Sequence, residues 1–250
     1  MSEAATPRPD ASASHRPGTP GGVLRDLAFA APVTAVATAP TWWLLGRPAS
    51  HPVLVGALYL LVSTWIARAL PQDAPGPGIG PANRVTLLRG CLVLTVLALA
   101  LQPAVLGAAA CWWIIVVSTI AMSLDGVDGR VARRTGTQTP FGARFDMELD
   151  AALIMALAVL VWASGKVGAW VLLIGLMRYA FVAAGWVLPA LRGELPESLR
   201  RKVVCVVQGV ALLVALGPII PPVLASVASG AALLALTWSF AVDVRWLMRA

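Results

Sequence analysis

Four aspartates in one short run of this chain have the spacing of a metal-binding cluster. Asp125 and Asp128 are three residues apart and Asp146 and Asp150 are four apart, so each pair lies on one face of a helix. Two such pairs on neighbouring helices would form a nest of carboxylates suited to hard divalent cations. Two Mg²⁺ or Mn²⁺ ions would balance the charge of the four carboxylates and could clamp a transferring phosphoryl group.

The elements that must position these aspartates are membrane helices. The chain is 58% hydrophobic and 12% charged, with a mean hydropathy of +0.80, which excludes an ordinary soluble domain. Ionised carboxylates at membrane depth are costly unless they are paired or bind metal, which favours a functional site. The formal charge of +7 indicates positive-inside topology and attraction to anionic membrane lipids, and not nucleic-acid binding.

Composition divides the chain into three parts. Residues 1–22 are rich in Ala, Ser, Pro and Gly and are predicted to form a disordered tail. Residues 23–80 contain two apolar segments, the first broken by Pro32 and Pro40, and predict two extra transmembrane helices. Residues 81–250 predict a six-helix core, whose helices start near Arg84, Val105, Arg144, Val167, Lys202 and Pro222.

The positive charges predict the orientation of these helices. With the N-terminus in the cytoplasm, the outer loops hold only Arg47 and Lys166, Arg178 lies within a span, and the other Lys and Arg residues lie on or near the inner face. Both termini and the aspartates then face the cytoplasm, and the predicted location is the inner (plasma) membrane. The helix predicted over 105–134 would be roughly 45 Å long, so its last turns would project from the hydrocarbon core.

The run 125–150 resembles the signature of the CDP-alcohol phosphotransferases, D-x2-D-G-x2-A-R-x8-G-x3-D-x3-D, at every fixed position. Those positions are Asp125, Asp128, Gly129, Ala132, Arg133, Gly142, Asp146 and Asp150. Looser similarity extends from about Pro81 to the C-terminus. The resemblance implies a transferase of phospholipid synthesis that moves a substituted phosphate from a CDP-alcohol, with CDP-diacylglycerol the leading donor, to a small polar acceptor alcohol, with release of CMP. It also implies a homodimer.

The resemblance implies roles for the motif residues. All four aspartates would hold two divalent cations, Mg²⁺ or Mn²⁺, and Asp150 would also accept the proton of the acceptor hydroxyl. Arg133 would offer a planar donor fork to the pyrophosphate. Three small residues would allow close approach of the CDP moiety: Gly129, Ala132 and Gly142. For each glycine taken alone, helix packing is the alternative explanation.

Two groups of residues outside the run are similar to family features. Asn83, Thr86 and Arg89 match an N-x2-T-x2-R pattern at the start of the first core helix, and Asn83 and Thr86 are predicted to contact CDP. Helix capping by Asn83 and interfacial anchoring by Arg89 would explain those two residues equally well. The predicted acceptor-binding residues are basic: Arg178, Arg201 and Lys202.

The acceptor is the least defined part of this prediction. Arg178 lies mid-span, where it would either pair with a motif aspartate or bind an anionic acceptor. Together with Arg201 and Lys202 it favours glycerol 3-phosphate, while serine, inositol phosphate or another headgroup stay open. A polyprenyl transferase and a transporter with an acidic metal site are the alternatives from other classes.

Some polar residues near the run carry no predicted chemistry. Glu148 is two residues from both Asp146 and Asp150, which places it on the opposite side of the helix, so it is predicted not to be catalytic. The single cysteines in apolar segments, without metal-ligand spacing, are predicted to be packing residues: Cys91, Cys111 and Cys205.

Overall fold

The architecture is entirely helical in the part of the chain that the structure describes. The computed structural model describes residues 20–43, 45–46, 48–70, 78–102, 106–135, 139–193, 195–196 and 198–249, with only the backbone for 127–135. These residues form eight long helices, α1 (Pro20–Trp43), α2 (Ser50–Ala69), α3 (Pro81–Leu101), α4 (Ala108–Thr135), α5 (Pro140–Ala163), α6 (Leu172–Val187), α7 (Leu199–Leu216) and α8 (Pro222–Leu247). Short 3₁₀ turns cover Ala169–Val171 and Pro189–Arg192. The predicted all-α fold is confirmed.

Among the described residues, six helical segments are long and apolar enough to cross a membrane. They comprise α1, α2, α3, the first part of α4 (Ala108–Gly126), α6 with its preceding turn (Ala169–Val187), and α8. The two other helices carry charged residues within about their first three turns, residues 144–150 in α5 and 200–202 in α7, and are mostly apolar beyond them. The chain is therefore an integral, multi-pass membrane protein in which the charged starts of α5 and α7 mark the polar end of the bundle.

Helix α1 differs from the sequence prediction in two ways. Pro32 and Pro40 lie inside it and do not break it, because membrane helices tolerate proline where neighbours and local adjustments satisfy the freed backbone groups. Its described residues begin at Pro20, two residues before the predicted end of the tail at residue 22, and proline suits the first turn of a helix. The tail itself, residues 1–19, lies outside the described residues and stays a prediction.

Helix α3 is the central element of the bundle. It contacts α1 and α2 on one side and α4 and α5 on the other, and most of its residues are buried. Helix α5 in turn contacts α6 and α7. Because α3 touches both groups, it joins the two N-terminal helices to the two helices that carry the aspartates.

Two sets of polar and aromatic contacts tie further helices together. Trp65 of α2 lies against two rings at the start of α5, with centroids 5.6 Å from Phe141 and 5.9 Å from Phe145. Arg200 of α7 donates to the hydroxyl of Ser239 and to the carboxylate of Asp243 on α8, both at 2.5 Å. The N-terminal helices are thereby connected to α5, and α7 is connected to α8.

Candidate metal and substrate site

The two aspartate pairs lie where α4 ends and α5 begins. The start of α5 is fixed locally, because Thr139 Oγ1 accepts a hydrogen bond from Gly142 N at 3.0 Å and Pro140 follows the cap. Helix α4 continues to Thr135, and residues 136–138, between α4 and the cap of α5, lie outside the described residues. The helices thus carry the pairs toward each other over a short connection.

Three of the four aspartates form one cluster. Ligand oxygens of Asp125 on α4 and of Asp146 and Asp150 on α5 all lie within 4.8 Å of one another. Each carboxylate is partly exposed, so an ion from water could reach it. Oxygen ligands at this spacing fit a hard divalent cation, and the residues present therefore suit the Mg²⁺ or Mn²⁺ that the sequence predicts.

The fourth aspartate and its neighbours lie where only the backbone is described. Asp128 follows Asp125 by three residues within α4, which places it on the same face of that helix. The side chains of Asp128 and of three predicted CDP-binding residues are outside the described part: Gly129, Ala132 and Arg133. Their roles stay predictions.

Arg89 of α3 lies inside the aspartate cluster. Its guanidinium pairs with Asp125, with Asp146 at 2.5 Å and with Asp150 at 3.3 Å, and it also donates to the Asp146 carbonyl at 3.2 Å. The side chain is almost fully buried. A buried arginine requires such anionic partners, and three close carboxylates require a cation. Arg89 is therefore the counter-charge that holds α4 and α5 against α3.

The sequence pattern included Arg89 but did not predict its contact with the aspartates. Arg89 was the third residue of the N-x2-T-x2-R pattern, for which interfacial anchoring was an equal explanation. The residues that follow Arg89 in α3 indicate its burial, because they are apolar on every face of the helix. An arginine in such a helix needs an anion, and the aspartate run supplies the nearest candidates.

Asn83 and Gly142 meet where α3 crosses the start of α5. Asn83 is buried and donates through Nδ2 to the Ile79 carbonyl at 2.7 Å. A Cβ on Gly142 would lie 2.5 Å from Asn83 Oδ1 and 3.1 Å from Thr139 Oγ1. Gly142 thus allows a close contact between α3 and α5, which is the helix-packing role given above as its alternative explanation. Contact of Asn83, Gly142 or the buried Thr86 with CDP stays a prediction.

Arg178 of α6 pairs with a residue that the sequence set apart. Its Nη2 lies 2.5 Å from Glu148 Oε1, and its Nη1 lies 2.8 Å from the sulfur of Met147. Its Nε is buried without a hydrogen-bond partner among the described residues. These contacts do not pair Arg178 with a motif aspartate, which was one of the two alternatives predicted for it. Glu148 lies outside the aspartate cluster, and it is exposed apart from its contact with Arg178 of α6.

A cavity of about 550 Å³ adjoins the aspartate cluster between α5, α6, α7 and α8. Asp150 lines it together with two of the predicted acceptor-binding residues, Arg178 and Arg201. Arg201 lies 3.8 Å from Asp243 and donates to the Pro196 carbonyl. The third predicted residue, Lys202, is exposed and is not part of the cavity wall. The structure therefore brings two of the three basic residues to the same cavity as Asp150.

Gln208 and Cys205 of α7 also line this cavity. Gln208 is 2% exposed, donates through Nε2 to the Ala232 carbonyl at 2.9 Å, and has no partner for Oε1 among the described residues. Cys205 is exposed on the cavity wall, so the packing role predicted for it is wrong, whereas Cys91 and Cys111 are buried. A glutamine in an otherwise valine-rich stretch was the available signal for Gln208.

A second groove, of about 550 Å³, runs along the outside of the bundle between α4 and α7. Its α4 wall includes Met122, three residues before Asp125 and on the same face of α4, and its α7 wall includes Val206, next to Cys205 in the sequence. Most of the other lining residues are apolar. The groove therefore joins the lipid-facing surface to the neighbourhood of the aspartate cluster.

Fold and site together define an all-α membrane protein with an aspartate cation site at one end of its helix bundle. Over residues 81–242, more than half of its length, the chain matches the family described as CDP-alcohol phosphatidyltransferase. The chain belongs to this family of enzymes, and the resemblance inferred from the aspartate run is confirmed. Membership leaves the polyprenyl transferase and the transporter without support.

The curated relatives match over a shorter stretch. The chain is 36% identical over 83 residues to ethanolaminephosphotransferase 1 of Homo sapiens, which is 30% of this chain and 21% of that protein. The proteins of the same name from Pongo abelii and Mus musculus match to the same extent. The matched stretch is thus about a fifth of the relatives' own length. No solved structure matches the chain.

Proposed function

We propose that this protein transfers a substituted phosphate from a CDP-alcohol to an acceptor alcohol in phospholipid synthesis, with release of CMP. The observation that carries the proposal is the cluster of Asp125, Asp146 and Asp150, which opens onto a cavity through Asp150. The cluster and all the residues that line the cavity except Asp243 belong to the region that matches the family. CDP-diacylglycerol is the leading donor.

The aspartates divide the chemical work. Asp125, Asp128, Asp146 and Asp150 would hold two divalent cations, which when bound supply charge stabilisation for the attacking and leaving oxygens. Asp150 lies at the junction of cluster and cavity, and it takes the proton of the acceptor hydroxyl. The acceptor oxygen then forms a bond to the β-phosphorus, the bond from that phosphorus to the bridging oxygen breaks, and CMP leaves.

The donor would lie along the last turns of α4 and the starts of α3 and α5. Arg133 is assigned to the pyrophosphate, and small residues allow its approach. Asn83 and Gly142, which meet at the crossing of α3 and α5, are assigned to the nucleotide end. The remaining residues assigned to CDP are Gly129, Ala132 and Thr86.

The acceptor would occupy the cavity beside Asp150. Arg178 and Arg201 line it, and two guanidinium groups favour a phosphorylated polyol such as glycerol 3-phosphate. Lys202 lies outside the cavity wall, so we assign the acceptor phosphate to the two arginines. The apolar groove between α4 and α7 supports a lipid substrate, because acyl chains there would lead a headgroup to the aspartates.

A second candidate is transfer of ethanolamine phosphate from a CDP-linked donor to a lipid alcohol. The names of the relatives favour it. The charges near the cavity are compatible with it, because each arginine already lies near a carboxylate, Arg178 near Glu148 and Arg201 near Asp243. The cavity is then less cationic than its arginines alone suggest, and an amine or a hydroxyl would fit it.

The proposal extends to the setting of the enzyme. The excess of Lys and Arg at the end of the bundle that carries the aspartates supports a cytoplasmic site and an inner (plasma) membrane location. A homodimer is expected from the family resemblance alone.

The test is CMP release by the purified protein in detergent with Mg²⁺ or Mn²⁺. One series pairs CDP-diacylglycerol with glycerol 3-phosphate, serine or inositol phosphate, and the other pairs CDP-ethanolamine with diacylglycerol. The Asp150→Asn variant and an EDTA-treated sample are the blanks. Release in one combination identifies donor and acceptor together. Absence of release in every combination, with intact protein, would overturn the proposed activity.

A further inference from the structure

Asp26 of the N-terminal helix α1 is a buried carboxylate with partners on α3 and just before it. It is 8% exposed, and its Oδ2 accepts hydrogen bonds from Ile79 N and from Arg84 Nε, both at 3.0 Å. A buried carboxylate is costly unless such donors compensate it. This site lies outside the aspartate cluster, and no residue of α1 belongs to the region that matches the family.

The segment that reaches Asp26 has a backbone built for this contact. Gly78 has a φ of +77°, and a Cβ there would overlap the Asp26 carboxylate and lie 2.9 Å from the Gly22 carbonyl. Only glycine combines this backbone conformation with the close approach. Gly80, also at positive φ, and Pro81 then start α3. The approach to α3 is therefore shaped around the carboxylate of α1.

The hydrogen bonds continue from Asp26 to the start of α5. The Ile79 peptide donates its N–H to Asp26 and accepts from Asn83 Nδ2 at 2.7 Å through its carbonyl. The other end of the Asn83 side chain faces Gly142, where an added Cβ would lie 2.5 Å from Oδ1. One peptide group thus links a carboxylate of α1 to the side chain that touches α5.

We propose that Asp26 is a positioning residue for the donor site, acting through the Ile79 peptide on Asn83. The two N-terminal helices are then part of the support of the nucleotide site and not only a membrane anchor. This inference rests on the proposed function, in which Asn83 contacts the CDP moiety.

A purely structural role of Asp26 makes a different prediction. If the role were purely structural, replacing Asp26 would lower the melting temperature and would not change the affinity for CMP. Tyr59 provides a matched control, because its hydroxyl on α2 donates to the carbonyl of Leu27, the residue after Asp26. The Tyr59→Phe change removes a hydrogen bond in the same region and leaves the link through Ile79 intact.

The experiment measures the Kd of CMP in detergent with Mn²⁺ and with Mg²⁺, together with the melting temperature. For Asp26→Ala we expect a Kd raised about tenfold, the effect of one to two lost hydrogen bonds. Asp26→Asn keeps an oxygen for Ile79 N and should raise the Kd by only about two- to threefold. Tyr59→Phe should lower the melting temperature and leave the Kd unchanged.

A double-mutant cycle tests whether Asp26 acts through Asn83. In an Asn83→Ala background, Asp26→Ala should add no further loss of CMP affinity. An undiminished effect there, or an Asp26→Ala protein that binds CMP as the wild type does, would overturn the inference and leave the proposed function standing. A wild type that binds no CMP with either metal would overturn both. If Asp26→Ala does not fold, the same cycle is run with Asp26→Asn.

Discussion

Arg89 holds Asp146 from two directions, donating to its carboxylate at 2.5 Å and to its main-chain carbonyl at 3.2 Å. The carbonyl contact fixes the helix and the carboxylate contact fixes the side chain. Because the same guanidinium pairs with Asp125 of α4, one residue of α3 sets where both aspartate-bearing helices place their ligands. It also lowers the negative charge of the cluster before any cation binds.

We predict that Arg89→Gln destabilises the metal-free protein by about 2 kcal/mol, because the clustered carboxylates lose their counter-charge. Added Mn²⁺ should then raise the melting temperature more in the variant than in the wild type, since the ion supplies the missing positive charge. Scanning fluorimetry with and without EDTA measures both quantities. An equal Mn²⁺ response in the two proteins would show that Arg89 does not compensate the cluster.

For Asp150→Asn we expect CMP release to fall by about 10²- to 10⁴-fold, the contribution of general base catalysis. CMP binding should largely survive, because the other three aspartates and the residues assigned to CDP are unchanged. The measurements are the rate of CMP release and the Kd of CMP on the same preparation. Near-normal turnover in this variant would remove Asp150 from the role of base.

Substitutions of Arg178 and of Glu148 should change the acceptor KM in opposite directions. Arg178→Ala should raise the KM of an anionic acceptor by about tenfold or more, because a charged hydrogen bond is lost. Glu148→Gln should lower that KM, since it removes the carboxylate that competes for Arg178. The donor KM is the control for both. A parallel rise of donor and acceptor KM in Arg178→Ala would make its role structural.

Gly142→Ala should weaken both stability and donor binding. The added methyl would lie 2.5 Å from Asn83 Oδ1, and overpacking of this kind costs about 1–3 kcal/mol. The melting temperature and donor KM report the two effects. Gly56→Ala in α2 is the matched control, because a Cβ there meets nothing within 4 Å. A Gly142→Ala protein indistinguishable from this control would contradict the close contact of α3 and α5.

The orientation in the membrane is testable with reporters. A green fluorescent protein fused after Ala250 should fluoresce, as expected for a cytoplasmic C-terminus. Alkaline phosphatase inserted at Gly165, in the connection between α5 and α6, should be active outside. The reverse pattern would place the aspartate cluster on the other face of the membrane.

The helices were predictable from the sequence because length and hydropathy decide membrane spans. The residues at which the helices start were less predictable, as α5 shows. Thr139 and Pro140 form its cap and first helical position, but the helix predicted from the sequence began near Arg144 and left both residues outside it. Capping residues and turn residues are the same types, so only the observed bond to Gly142 N distinguishes them.

The site was predictable where spacing along one helix decides it, and not where the packing of helices does. The spacing placed Asp146 and Asp150 on one face of α5, and Glu148 on the other. It did not say that α6 brings Arg178 to Glu148 on that other face. Likewise, the pattern that contains Arg89 gave its face on α3 but not the identity of the helices packed there.

The pair of Arg200 and Asp243 has a consequence for how the protein is made. The two residues are 43 positions apart, so the cationic start of α7 leaves the ribosome well before its carboxylate partner on α8. Charged side chains make the entry of a helix into lipid less favourable unless they are paired. We therefore expect α7 to wait at the translocon until α8 is synthesised, and the two helices to enter the bilayer together as a hairpin.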